Sequence, residues 1–421
     1  MTSLRNIASL VSAITILQLA QGLMGVYLPL AMSADRLQGA AIGFVGAMYS
    51  AGFMAGAWYG PTMLARVGHI RVFAAAAAMV TATTLGLGAA DDAISWGLLR
   101  GVMGFAVAFV FVAVDSWMSI SVSKDERGSV MGIYQVLTKA ALTLGPFLAF
   151  GAIPGAMGPL MIAGALQALA IVPISLTSRA QPAPPMAAPL ALRGLFDVAP
   201  AAVTASFFAG FVNAGVMTLA PLYALEHFGA AQALTFQAAG FFGSLLLQYP
   251  VGRLSDRMDR RVVIAGLSGI ASIAALALAL FGGQLTFVGA AALFALWGAG
   301  ALSFYGIAIA HMADRAEPGR IAQAASGLLF VWAAGSVAGP LFLGMAVEIG
   351  GREAMFWFAG VSGAALVFFM FWRRAERGPV ESTRKEAVAP AAATSVAAAD
   401  LAYGGDDEAP PPAAEGAAPQ T

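Results

Sequence analysis

The sequence predicts an all-α polytopic membrane protein of twelve transmembrane helices in two pseudo-symmetric six-helix halves. Three observations carry that expectation. Of 421 residues, 59% are hydrophobic and 10% charged, with mean hydropathy +0.80, a composition no ordinary soluble domain has. At about 20 mostly apolar residues per spanning helix, this apolar content supplies about twelve spans. Basic residues fall in alternate gaps between the apolar runs, and polar landmarks recur in order at a nearly constant offset.

The first run, Ile7 to Met32, is too long for a signal-peptide core and lacks a small-residue cleavage site behind a basic start, so it reads as a retained span. Runs of spanning length follow near 40–64, 72–89, 93–118, 129–150, 158–176, 198–223, 233–252, 262–281, 286–310, 321–347 and 354–372. With the N-terminus in the cytoplasm, the cytoplasmic segments hold Arg5, Arg66, Arg71, Lys124, Arg127, Arg179 and Arg193, then Arg253, Arg257, Arg260, Arg261, Arg315 and Arg320, then Arg373, Arg374, Arg377, Arg384 and Lys385. Only Arg36 and Arg352 lie outside, as the positive-inside rule requires. Both termini are therefore expected in the cytoplasm.

Residues 177–197, with Pro182, Pro184, Pro185 and Pro189, read as a cytoplasmic linker between halves at 1–176 and 198–373. Residues 374–421 turn to Ala, Pro and acids and are expected to form a disordered cytoplasmic tail. Gln21 with Pro29-Leu30 matches Asn213 with Pro221-Leu222, 192 residues on; Ala65-Arg66-Val67 matches Asp256-Arg257-Met258 at 191, and Gly145-Pro146 matches Gly339-Pro340 at 194. A six-plus-six duplication explains three pairs in register, and such halves can rock about a site at their interface.

Between spans eight and nine, residues Gly252-Arg253-Leu254-Ser255-Asp256-Arg257-Met258-Asp259-Arg260-Arg261 resemble the cytoplasmic loop signature G-x-L-x-D-R-x-G-R-R of the major facilitator superfamily. Only Asp259 departs, at the second glycine. The first-half equivalent is degenerate: Pro61 and Ala65 replace the glycine and the acid, while Arg66, Gly68 and Arg71 survive. Independently of the family, an acid at a helix end with several arginines can latch helix ends in one state and release them in another. Topological anchoring accounts for the arginines but not for the acid. Asp314 is placed to serve Arg257 or Arg260 as such a latch. Arg100-Gly101-Val102-Met103-Gly104 with Ala108 resembles the superfamily pattern R-x-x-x-G-x-x-x-A of span four. The core Gly145-Pro146 resembles its span-five antiporter motif, although Ala149-Phe150 stands where two glycines are usual. Together with the GS-x-x-GP of span eleven, these features resemble the YcaD-like branch over about residues 5 to 372. The resemblance implies a bacterial inner-membrane permease and no particular substrate.

Charges inside spans are costly and mark functional candidates. Arg100 is either such a group or a side chain snorkelling to the outer surface. Asp115, fifteen residues on, lies about 22 Å further along the helix and about 60° around it. It is either a protonatable coupling carboxylate or a gate partner of Arg66, His69 or Arg71. Lys139, with Gln135 one turn away, could contact an anionic or carbonyl-bearing substrate, titrate, or pair with Asp115. Gln18, Gln21, Asn213, Gln237, Gln248, Tyr305, His311 and Gln323 complete the candidate pathway. Each alone can equally be an interhelical hydrogen bond, and His311 could sense pH.

A net charge of zero disfavours a nucleic-acid partner. Zero cysteines exclude disulfides and thiolate sites. None of the lysines follows glycine in a phosphate-cradling loop, so no ATP is expected. Three histidines form no H-E-x-x-H metal site, and no nucleophile elbow occurs, so neither cofactor nor enzyme activity is expected. The expected protein is a monomeric, proton-coupled secondary transporter of a small molecule, embedded in the bilayer and working by alternating access. An uncoupled facilitator and a non-transporting receptor or scaffold are the rivals.

Overall fold

The computed structural model describes residues 2–122, 127–153, 155–177, 192, 194–317, 320–376 and 378. Most of the linker and nearly all of the tail lie outside the described residues, as do Lys124, Arg179, Arg193, Arg377, Arg384 and Lys385. Every regular element among the described residues is helical.

The first half comprises α1 (Thr2–Ala34), α2 (Gly39–Val67), α3 (His69–Gly86), α4 (Ala93–Ser121), α5 (Arg127–Leu144), α6 (Met157–Leu169) and α7 (Ile171–Ser175). The second comprises α8 (Leu195–Val198), α9 (Pro200–Phe228), α10 (Ala230–Arg257), α11 (Arg260–Phe281), α12 (Phe287–Ala301), α13 (Phe304–Ala313), α14 (Ile321–Gly350) and α15 (Ala354–Glu376). Local chemistry sets the boundaries. Gly68 adopts φ 90° where α2 turns into α3, a conformation costly for any residue with a Cβ. Asp92 starts α4 by accepting from the amides of Ile94 (2.7 Å) and Ser95 (3.0 Å), and those bonds hold its carboxyl below the ordinary carboxylate range.

Eleven described segments are long and apolar enough to cross a membrane. The twelfth expected span corresponds to α5, 18 residues long. It is too polar to qualify by composition because it carries Arg127, Gln135 and Lys139, yet it packs between α1 and α10. Two expected spans are broken. Run 158–176 divides into α6 and α7, where Pro173 removes a donor and its ring crowds the Leu169 carbonyl four residues back. Run 286–310 divides at Leu302-Ser303, after Gly298 and Gly300 have weakened the helix. The tail boundary also shifts, since α15 continues to Glu376.

The duplication reappears in packing. Within the first half a Cβ at Gly52 would strike the Gly101 carbonyl, one at Gly104 the Tyr49 carbonyl, and one at Gly145 the Leu19 carbonyl. Within the second, Gly243 meets Ala295, Gly298 meets Gly240 and Gly339 meets Phe211 in the same way. Each second-half partner lies 191 to 194 residues after its counterpart. Small residues let these backbones touch, the means by which helices associate where lipid supplies no hydrophobic drive.

The halves meet chiefly along α2 against α14, and less extensively where α5 packs on α10 and where α1 and α2 pack on α9. One end of the bundle carries the α2–α3 and α10–α11 loops with their arginines and is called the basic end. At the opposite end, Gly39 approaches the Gly344 carbonyl, Gly43 approaches Pro340, Gly46 approaches Thr218, and the Ala40 amide donates to Glu348 Oε2 (3.0 Å). Nearer the basic end the α2–α14 seam is aromatic, with Phe53 beside Trp332 (6.4 Å between centroids) and Trp58 beside Phe330 (5.5 Å).

Candidate functional site

Three groups of polar side chains occupy the bundle. The first lies within the first half. Arg100 sits about 10 Å inside α4 by helix rise, its guanidinium 4.1 Å over the face of Tyr49 and donating to the Met103 sulfur (3.0 Å). Gln21 of α1 donates to the Tyr49 hydroxyl (3.2 Å). Arg100 is thus held by π density and a thioether, and it forms no ion pair among the described residues.

The second group spans the α5–α10 seam. Lys139 Nζ donates to Ser244 Oγ at 2.8 Å, joining the halves near the middle of α10. Gln135 on α5 and Gln248 on α10 each lie one turn nearer the basic end, on the faces that carry Lys139 and Ser244. All three of Lys139, Gln135 and Gln248 are half-buried. The expected alternative of a Lys139–Asp115 pair is not formed. Asp115, fully buried, accepts instead from Tyr134 (3.3 Å) across the α4–α5 packing. Arg66 and Arg71 are exposed, with no ion pair among the described residues, and His69 bonds Ser116 (3.1 Å), the neighbour of Asp115.

The third group closes the α10–α11 loop. Arg260, buried at the start of α11, binds Asp314 bidentately, Nε to Oδ2 at 2.6 Å and Nη2 to Oδ1 at 3.0 Å, and lies 3.7 Å from Asp256. Of the two arginines considered for Asp314, it is Arg260 that meets it; Arg257 is exposed. Arg261 donates to both carboxylate oxygens of Asp259 (3.1 and 2.8 Å) and to the carbonyls of Arg373 (2.9 Å) and Gly378 (3.1 Å). Burial would raise the Asp259 carboxyl, but the Arg261 side-chain and backbone hydrogen bonds outweigh it and hold it below the ordinary range. Gly252, one turn before Asp256, is half-buried. The partners named here lie on α10, α11, α15 and the end of α13, with Gly378 just beyond α15.

The remaining candidates have local roles. Asn213 Nδ2 donates to the Ala301 carbonyl (3.0 Å), capping α12 at its break. Gln237 donates to the Met217 carbonyl (3.1 Å). Tyr305 packs on Trp332, 5.8 Å between centroids, and His311 is buried near the end of α13. Gln18 and Gln323 are half-buried. Sequence reasoning missed Tyr49, Tyr134 and Ser244, because ordinary aromatic and hydroxyl side chains show no signal until a charged partner is packed against them.

Two repeated helical halves enclosing charged side chains within the membrane define a membrane transport protein. The chain belongs to the major facilitator superfamily: the family model described as Major Facilitator Superfamily matches residues 10–326 and again 203–404. It is 26% identical over 368 residues to the uncharacterized MFS-type transporter YcaD of Salmonella newport (strain SL254), covering 82% of this chain and 90% of that one. Against the YcaD of Salmonella typhi it is 26% identical over 365 residues, with 82% and 89% covered. Its fold is similar to that of the nucleoside transporter NupG, with TM-score 0.71, 13% identity, and 86% of this chain and 98% of that one covered. It is similar as well to that of a bacterial homolog of the human lysosomal transporter Spinster in an inward-facing and occupied conformation (0.72, 16%, 91% and 98%). A D-xylose-proton symporter shares the fold to the same degree (0.71, 14%, 90% and 98%). The protein is a multi-pass membrane transporter rather than an enzyme.

Proposed function

We propose that the chain is a secondary active transporter that moves a small molecule by alternating access and couples that movement to protons. Its basic end faces the cytoplasm of a bacterium, across the inner membrane, and residues 1–176 and 198–373 are the rocking halves. One observation carries this reading. The glycine-mediated backbone approaches between the halves, Gly39 and Gly43 of α2 against Gly344 and Pro340 of α14, lie within about 6 Å of the start of α2 by helix rise, whereas the arginine clasps described at the basic end join elements of the second half. The halves are therefore drawn together at the outer end, and the basic end is the one that opens in this state. Gly252, Asp256, Arg257, Arg260, Arg261 and Asp314, with Arg66 and Arg71, form the gate that must rearrange for the other state. Asp115 is the coupling group: its carboxyl is fully buried in a spanning helix, where an ionisable side chain marks a functional site.

The test is solute-driven pH change in proteoliposomes of the purified protein. Wild type is expected to acidify or alkalinise the lumen with uptake. Asp115→Asn is expected to abolish the response to a pH gradient while leaving solute exchange intact. Uptake indifferent to the pH gradient in wild type would identify an uncoupled facilitator, and no flux under any gradient would identify a receptor or scaffold.

A further inference from the structure

A lysine midway through a spanning segment ordinarily answers to a carboxylate. Lys139 has none among the described residues; the hydrogen-bond partner of its ammonium there is a neutral hydroxyl, Ser244, belonging to the other half. Nor does the fold require a cation at this place. The position 194 residues on, related to it by the same offset as Gly145 and Gly339, is Ala333, which packs buried in α14. Arg100 is likewise matched by a buried aromatic, Phe294, stacked on Phe236 (4.3 Å) and Trp297 (5.0 Å).

We propose that Lys139 is the seat of a singly charged, carboxylate-bearing organic anion, and that Ser244 holds its ammonium in place until that anion arrives. This rests on the transporter reading and names its substrate class. An ammonium carries three donors, and the seat is one in which the arriving carboxylate draws it off Ser244 rather than sharing it. Lys139 is half-buried rather than sealed, and Gln135 stands one turn away on the same helix face, with amide donors for an oxygen. One ammonium among neutral donors balances one negative charge; a phosphate dianion would leave a charge uncompensated. When a carboxylate takes the ammonium, a hydrogen bond to a neutral hydroxyl is exchanged for an ion pair. The bond tying α5 to α10 then breaks, so loading itself frees the seam.

The test uses purified full-length protein and matched acid and amide probes: lactate with lactamide, benzoate with benzamide, octanoate with octanamide, and N-acetylphenylalanine with its amide. At least one acid should raise Tm and bind, its amide should not, and Lys139→Gln should weaken the acid at least tenfold. Ser244→Ala should tighten it about fivefold, the scale of one competing hydrogen bond, which a merely structural serine would not do. Lys139→Arg, which keeps the charge, should retain part of the affinity and guards against loss by misfolding. Binding of none of the acids, equal binding of the amides, or acid binding unchanged in Lys139→Gln overturns the seat. Proteoliposome uptake separates the two readings. Flux of a neutral or cationic solute unaffected by Lys139→Gln sinks the seat and keeps the transporter. An acid that binds at Lys139 yet is never taken up sinks the transporter and keeps the seat.

Discussion

Asp259 occupies a position where the superfamily signature has glycine, and its carboxylate caps α11 while gripping Arg261. Asp259→Gly should cost about 1 kcal/mol at pH 7 through loss of a charged cap and clamp. The sign with pH follows from its depressed pKa. The contribution is complete above the ordinary carboxylate range near pH 4 and fades as pH falls through the folded-state value. Thermal unfolding in detergent between pH 7 and pH 3 should show the wild type and the variant converging at the acid end. Arg260 is a harsher case, because its side chain and that of Asp314 are both about 1% exposed. Arg260→Ala should cost about 3–5 kcal/mol by leaving a buried carboxylate unmatched, and Asp314→Asn in the same background should recover much of that loss. The charged residues of this loop were legible in the sequence as a motif. Which arginine meets which acid was not, because Arg257 closes α10 and Arg260 opens α11, and the turn between them decides which one is buried.

At the scale of elements, the α2–α14 seam depends on glycine. A Cβ at Gly43 would fall on the Pro340 carbonyl oxygen, so Gly43→Val must splay the outer end. The chain has no cysteine, so a single cysteine introduced at Ala40 reports without background. Its labelling from outside should rise several-fold in Gly43→Val, and unchanged labelling would show that the seam is not closed by that contact. Hydropathy revealed the spans because burial in lipid demands apolar runs. It overlooked the two helix breaks, whose causes are a proline ring and a side-chain cap from Asn213 on a distant helix. It also overstated α5 as an ordinary span, although the helix that carries polar groups to the seam is the one whose apolar signal must weaken.

For the whole molecule, the duplication was readable from three spaced landmarks, and the recurring glycine contacts are its physical content. The charges break that repeat: Arg100 and Lys139 belong to the first half, and the positions 194 residues on are Phe294 and Ala333. Ala40 and Glu348, in hydrogen-bond contact across the outer end, test the motion as a whole. Replacing both by cysteine and oxidising should stop uptake in proteoliposomes, and reduction should restore it; undiminished flux in the crosslinked protein would rule out opening at that end.

The ion clasps at the basic end tie α10, α11, α13 and α15 into one piece, while Arg66 and Arg71 form no ion pair among the described residues. Mechanically the two repeats are therefore a stiff body and a compliant one. Deformation during the transport cycle should concentrate in the compliant repeat, the one that carries the charges, so strain and chemistry are housed together. Amide exchange by mass spectrometry should show it, with the α2–α3 corner exchanging well before the α10–α11 corner.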